Sequence, residues 1–375
     1  YKLFSTTEML EESIYAKVVE ENHSLEENVV IADFASEAFN SPFAGFYKNG
    51  KLKVTDNKEL AKLIIAPVLL KYVMWLSKRI LENGNDLVLF PSRDGFVLKQ
   101  IYGELQKRYE NYPMPKSVYF YTSRRAALIA AAESKEDMQF IVQGADAKST
   151  SERIRKRFEV DLQKLCEGEE ISDSLYEALL ECSNKERERY NRYLREIGIY
   201  SHKKIAFVDF VAVGTVQEAL QRITNTELQG YFFLRRKADS KYTEGLSCES
   251  LYPMAGDYQG NSNLYRFYYF LENVVSSYEP SFKRMKADGR YEFYEEARTE
   301  ESIAQLKEFH EAILEYCREI IASLPDIRSL NAGVTVYDSL LGFFDKDYMD
   351  IEQEILSKII NYDELLDKKV TELNR

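Results

Sequence analysis

Across residues 58–83 the apolar side chains Leu60, Leu63, Ile64, Val68, Leu69, Val73, Leu76 and Ile80 recur at helical spacing, and Asn83-Gly84-Asn85 closes the run. This pattern predicts a helix followed by a turn. The next segment, Asp86-Leu87-Val88-Leu89-Phe90, is continuously apolar between turn residues, as expected of a strand covered on both faces. Helical spacing returns over 96–108. Three more strand candidates follow, at 117–121, 204–209 and 229–234. The first leads into an Ala-rich helix and the second into a helix over 216–223. Strands separated by helices pair in parallel through right-handed crossovers, so the expected fold class is α/β, with a doubly wound parallel sheet.

The flanking regions divide the chain further. Residues 1–57 read as an N-terminal extension that mixes an acidic helix-like piece, 8–21, with short apolar runs such as 29–32. The α/β core takes 58–132 and 201–295, and the charged block 133–200 is too long for an ordinary crossover, so an inserted helical lobe is expected there. Residues 296–375 should be C-terminal helices. One face of the first carries Ile303, Leu306, Phe309, Ile313, Tyr316 and Ile320, and a second, over 351–370, carries Ile355, Ile359, Leu365 and Leu366.

Composition narrows the function. The 375 residues carry 50 Lys and Arg against 62 Asp and Glu, a formal charge of -12, with 45% hydrophobic residues. Wholesale disorder is excluded, two or three domains are expected, and the acidic balance argues against nucleic-acid binding. Cys166, Cys182, Cys248 and Cys317 form no CxxC pair, and His23, His202 and His310 stand apart, which argues against zinc or a disulfide framework and for a reducing cytoplasm. The most apolar stretch, 63–76, is about 14 residues long and holds Pro67 and Lys71, so it reads as a buried helix rather than a membrane span. The 27 Tyr and 21 Phe fit sugar stacking and core packing alike. The first residue, Tyr1, is not Met, which points to a fragment or processed chain with something missing upstream.

Ligands of open α/β sheets collect at the carboxyl ends of the strands, where three loops here hold unusual polar residues. After the strand 204–209, Asp209 is followed five residues later by Gly214-Thr215 at a helix start. This suits a sugar phosphate, with Asp209 on vicinal hydroxyls or a metal and the backbone around Gly214 cradling a phosphate. The same residues equally describe an ordinary turn with Thr215 as a helix cap. The loop Ser92-Arg93-Asp94-Gly95 offers a fork for a diphosphate, a carboxylate for a metal or hydroxyl, and a glycine that lets the backbone approach. Thr122-Ser123-Arg124-Arg125 adds two cations at an equivalent position. Together the loops would make the local basic pocket that an acidic chain needs for an anionic ligand. Each could also be a solvated turn.

Residues 204–220 resemble the phosphoribosyl-diphosphate motif of type I phosphoribosyltransferases. More specifically, LVLFPSRDGFVLKQIY, YFYTSRRAAL, IAFVDFVAVGTVQEAL and FLENVVSSYEPSF, in this order, are similar to a region found with haloacid-dehalogenase-type phosphatases in bacterial capsule and O-antigen polysaccharide clusters. The resemblance covers about residues 60–294. It implies a type I phosphoribosyltransferase-like sheet with large helical additions. It also implies a ribofuranosyltransferase that moves 5-phosphoribose from phosphoribosyl diphosphate to a glycan or lipid-linked glycan, with Mg2+ as cofactor and a phosphatase as partner. Location is expected to be cytoplasmic, peripheral to the inner face of the membrane through partners.

By the same resemblance Asp209 meets the ribose hydroxyls, and Val213, Gly214 and Thr215 surround the 5-phosphate. Ser92, Arg93, Asp94 and Gly95 lie at the diphosphate with Ser123 and Arg124 nearby, and Asp94 and Asp209 hold the metal. Phosphoribosyltransferases commonly carry a second acid where this chain has Phe210, a departure for which Asp94 could compensate. There is no Asp-x-Asp-x-Thr phosphatase nucleophile. Residues 270–282, with Glu272 and Glu279, are the expected acceptor-side wall, and Asp94 or Glu279 the expected base. The alternatives are a nucleobase-type phosphoribosyltransferase and a non-catalytic phosphoribosyl-diphosphate-binding module.

Overall fold

The apolar run after Asn85 becomes the second strand from one edge of a five-stranded sheet. The computed structural model describes residues 13–19, 21, 23–40, 47–48, 50–143, 149–159, 171–236, 242–252, 263–324, 326, 333–352, 355, 361–363 and 368–370. In it, β1 (Leu87–Pro91) is buried at every position. The strands β2 (Lys116–Phe120), β3 (Ile205–Ala212), β4 (Leu228–Arg235) and β5 (Cys248–Tyr252) complete a sheet in the order β2-β1-β3-β4-β5, all neighbours parallel. The fold is therefore α/β.

Helices cover both faces. Those that position the site are α1 (Asn57–Asn83), α2 (Gly95–Arg108), α3 (Arg124–Ala131), α4 (Asp173–Glu196), α5 (Thr215–Thr224), α6 (Asn263–Val275) and α7 (Glu300–Ser323). The pleat of β1 sends Val88 and Phe90 into a core shared with Leu69 and Val73 of α1, Leu98 and Ile101 of α2, Leu271 of α6 and Phe309 of α7. Its alternate residues, Leu87 and Leu89, join Ala126 of α3, Tyr190 and Leu194 of α4 and Leu220 of α5 on the opposite face. This two-sided burial is why the strand reads as a continuous apolar run.

Helix α1 is long and apolar enough to cross a membrane, yet its most apolar window lies inside the protein. Burial by the sheet and its neighbouring helices, rather than shortness, accounts for its composition. Pro67 lacks the N–H that a regular helix would use at that position, and the turn Ala61–Ile65 just before it is π-helical, with the Ala66 N–H reaching back to the Ala61 carbonyl. Gly84 ends the helix in the left-handed region, φ 65°.

Several sequence expectations change. Strand β3 runs to Ala212, so Asp209 sits within the strand, opposite Phe232, and not at its end. Strand β5 escapes an apolar-run search because Cys248, Glu249 and Ser250 in its first half are only partly buried. Of the expected helix over 351–370, Ile355 is helical, Ile351 ends a strand Met349–Ile351 that pairs in parallel with Lys51–Val54, and Asn361–Asp363 pairs antiparallel with Lys368–Val370; residues 353–354, 356–360 and 364–367 lie outside the described residues. Within 8–21 the described helix is Ala16–Val19, residues 8–12 lying outside the described residues, and 29–32 falls inside the helix Leu25–Ala35. The block 133–200 contains Lys135–Gln143, Thr150–Phe158 and α4, which share a core of Met138, Ile141, Ile154, Phe158, Leu175 and Leu179.

Gly95, where α2 begins, is a point of close approach. A Cβ there would lie 2.8 Å from the Phe90 carbonyl carbon and 2.9 Å from the Phe90 Cβ, atoms fixed by the sheet. Gly95→Ala is expected to destabilise the protein by about 1–3 kcal/mol, as overpacking does. Urea unfolding should show a lower midpoint; an unchanged midpoint would mean that the loop moves aside freely.

Candidate functional site

The strand order places a topological switch point between β1 and β3. The helix after β1, α2, packs on one face, and the helix after β3, α5, on the other. The loops that follow the two strands therefore diverge and leave a crevice at the carboxyl edge, where ligands of open α/β sheets bind.

On the β1 side the loop is tightly tied. Ser92 Oγ donates to the Thr122 carbonyl at 2.8 Å and accepts from the Thr122 N–H at 3.1 Å, which joins the loops after β1 and β2. Arg93 has φ 70°, a left-handed conformation that a side-chain-bearing residue adopts at a cost. Its N–H donates to the Tyr119 hydroxyl at 3.0 Å, and its guanidinium donates to Ser281 Oγ. Asp94 holds the N-cap position of α2 without a side-chain capping bond.

On the β3 side, Asp209 Oδ1 accepts from the Phe210 N–H at 2.9 Å. Burial, and then the charge of Asp94, push the Asp209 carboxyl up to about 7, against the Phe210 N–H and Arg124. Glu272, on α6, is pushed up to about 8 by burial and by Asp94 and Asp209, while Arg93 and Arg124 oppose the shift. Five ionisable residues from four segments, Arg93 and Asp94 after β1, Arg124 on α3, Asp209 on β3 and Glu272 on α6, thus meet electrostatically at the crevice. Asp94, Asp209 and Glu272 each keep part of their surface open to solvent. Shifts of this kind, caused by burial plus specific charged neighbours, mark functional sites.

Gly214, not Thr215, occupies the N-cap position of α5, in a left-handed conformation with φ 98°. A Cβ on it would come within 2.8 Å of Leu246 Cδ1. Thr215 is the first helical residue, so the reading of Thr215 as the cap fails, and Val213 bridges strand and helix. The first N–H groups of α5 have no partner within the helix and form a natural seat for an anion.

The remaining expected residues divide between this group and structural roles. The Ser123 hydroxyl accepts from the Ala126 N–H at 3.1 Å and is used as the cap of α3. Arg124 is exposed, but Arg125 is 2% exposed and pairs with Glu186 at 3.0 Å while donating to the carbonyls of Arg157 and Lys283. Arg125 therefore ties α3 to α4 and to the strand β6 (Phe282–Met285), and it is no part of a basic pocket. Glu272 and Glu279 belong to different segments. The sequence 263–275 is helix α6, with Leu264, Phe267, Leu271 and Val274 in the core, so Glu272 turns up beside Asp209. Glu279 lies beyond the helix, where Oε1 accepts from the Tyr121 hydroxyl at 3.0 Å. Phe210 stacks on Phe233 at 4.4 Å with 3° between the ring planes, so the position after the acid belongs to the core.

Sequence reasoning missed the residues that fix these loops. Arg298 donates to the carbonyls of Ser277 at 2.7 Å and Glu279 at 2.9 Å. His310, buried and with its pKa driven down to about 4 by that burial, sits 2.6 Å from the Val274 carbonyl and 2.9 Å from the Tyr278 hydroxyl. Neither residue lies near a recognisable motif.

Among the described residues no three Asp, Glu, His or Cys side chains converge as a ready metal site. Asp94 and Asp209 are still hard oxygen donors of the kind Mg2+ takes one or two at a time beside substrate phosphates. No protein-family model matches the chain, and no curated protein matches it.

Two predictions follow from this geometry. Arg125→Ala removes one partner of a buried ion pair and should cost about 3–5 kcal/mol in chemical unfolding. Arg124→Ala should leave the unfolding midpoint within about 0.5 kcal/mol of the wild type, as exposed substitutions do; equal losses in both would contradict the division of roles. The second concerns pH. A carboxyl raised by folding favours the native state most where it is protonated, so this contribution is complete below the ordinary values of 3.8 and 4.5 and is lost as pH climbs through about 7 for Asp209 and about 8 for Glu272. Asp209→Asn should therefore raise the melting temperature at pH 8.5 and leave it nearly unchanged at pH 4. A shift that is the same at both pH values would contradict the proximity of these acids.

Proposed function

We propose that the crevice between β1 and β3 binds phosphoribosyl diphosphate in a type I phosphoribosyltransferase-like fold, and that the chain transfers 5-phosphoribofuranose to a glycan acceptor. The observation that carries this reading is the set of Arg93, Arg124 and the carboxylates Asp94, Asp209 and Glu272, the last two raised by burial and by Asp94, between the diverging loops that lead to the N-termini of α2 and α5. A donor that carries a phosphate at one end, a diol in the middle and a diphosphate at the other matches that order of groups.

In this reading the N–H groups of Gly214 and Thr215 hold the 5-phosphate, with Val213 beside it, and Asp209 accepts from the ribose hydroxyls. Arg93 and Arg124 lie at the diphosphate. The bond from the anomeric carbon to the diphosphate oxygen breaks with its electron pair leaving on diphosphate. An acceptor hydroxyl oxygen then bonds to that carbon, and its proton passes to a carboxylate, Glu279 or Asp94. Mg2+, held by Asp94 and Asp209, would supply neutralisation of the leaving diphosphate. Glu272 offers a further carboxylate near Asp209, which offsets the absence of an acid at Phe210.

Phe210 also favours a second reading, a module that binds the donor without turnover. Incubation with phosphoribosyl diphosphate, Mg2+ and glycan acceptors separates the two, the expected product being an acceptor heavier by one phosphoribose. Arg93→Ala should lower that transfer by about 100-fold or more, the scale of losing one preorganised charge contact. Donor binding without product across a broad acceptor set would favour the module, and product from nucleobases alone would favour base salvage.

A further inference from the structure

Beside the crevice lies a row of tyrosines that the donor reading leaves without a role. Tyr119, in β2, accepts from the Arg93 N–H and has its own hydroxyl pushed up to about 12, chiefly by burial. Its ring is 5.6 Å from that of Tyr121, the first residue beyond β2, whose hydroxyl donates to Glu279. The Tyr121 ring lies 4.4 Å from that of Tyr291, on the strand β7 (Tyr291–Phe293), which pairs with β6. Tyr291 is 42% exposed. The row thus runs from the Arg93 loop to solvent and ends on an aromatic side chain with much of its surface uncovered.

Two further observations point to a ligand. Glu279 has one oxygen engaged by Tyr121, while its Oε2 is buried with no hydrogen-bond partner among the described residues. A buried acceptor without a donor is costly, so a donor supplied by a ligand is favoured there once the side chain turns. The shelf is also held in place rather than loose: the Tyr121 N–H donates to the Tyr193 hydroxyl at 2.6 Å, and Tyr190 donates to the Tyr121 carbonyl at 3.2 Å.

We infer that Tyr121, Tyr291 and Glu279 form the acceptor subsite and take a pyranose ring. A pyranose has an apolar C–H face that fits an exposed aromatic ring and a rim of hydroxyls that fits a carboxylate. The alternation of one stacking surface with one hydrogen-bond acceptor serves that shape. The inference rests on the glycosyl-transfer reading for its purpose, but the binding it requires can be measured without donor.

Saturation-transfer NMR with methyl β-D-glucoside, methyl β-D-galactoside and adenosine, each added alone, tests it. Transfer is expected to be strongest to the ring C–H protons of at least one glycoside. Tyr291→Leu, which keeps an apolar side chain but removes the ring, should weaken that binding at least tenfold. Tyr291→Phe should stay within about twofold of the wild type, and Glu279→Gln should weaken binding severalfold; the native unfolding midpoint of each variant guards against loss of fold. No glycoside signal, an equal signal in Tyr291→Leu, or binding of adenosine alone would overturn the inference. Glycoside binding that depends on Tyr291 supports it even if phosphoribosyl diphosphate does not bind, whereas donor binding without it overturns the acceptor subsite alone.

Discussion

The charge of Asp94 beside two half-buried acids is the interaction on which the site depends. Asp209 and Glu272 come from different elements, one on β3 and one on α6, yet each is raised partly by the same neighbour. Left alone, such a cluster opposes folding at neutral pH. Arg124 counters the shift of both acids and Arg93 that of Glu272, and protonation relieves the remainder. An arrangement that disfavours its own empty state suits a site that binds charge.

The scaffold explains how these groups can be held together. A parallel sheet covered on both faces at its centre fixes β1 and β3, the switch in helix direction opens the crevice, and Gly95 lets α2 start hard against Phe90. The loop that carries Glu279 is then strapped from outside by Arg298, and its neighbour Tyr278 by His310 on α7. Helix α7 and the segment just before it thus contribute to the site through contacts that fix its loops. Arg125 has a similar supporting role on the opposite face, where a buried pair with Glu186 fixes α3 against α4.

Much of the sheet was legible because burial on both faces writes an unbroken apolar run, as at Leu87 to Phe90. The loops after β1 and β3 were legible because Arg, Asp and Gly are conspicuous beside such runs. Other features had no local signature. Strand β5 is polar in its first half, Tyr291 is one tyrosine among 27, and the strand Met349–Ile351 is set by pairing with residues three hundred positions away, an approximate separation that no periodicity records. Arg124 and Arg125 looked equivalent in sequence because helix phase, which sends one to solvent and the other into the protein, cannot be read from a dipeptide.

Hydrogen–deuterium exchange with and without Mg2+ and phosphoribosyl diphosphate tests the central assignment most directly, since it reports where the donor sits whether or not transfer occurs. The expected result is donor-dependent protection concentrated in the peptides that contain residues 92–95 and 213–217. Protection confined to other parts of the chain, or none at a donor concentration that saturates known phosphoribosyltransferases, would contradict the placement of the donor between β1 and β3.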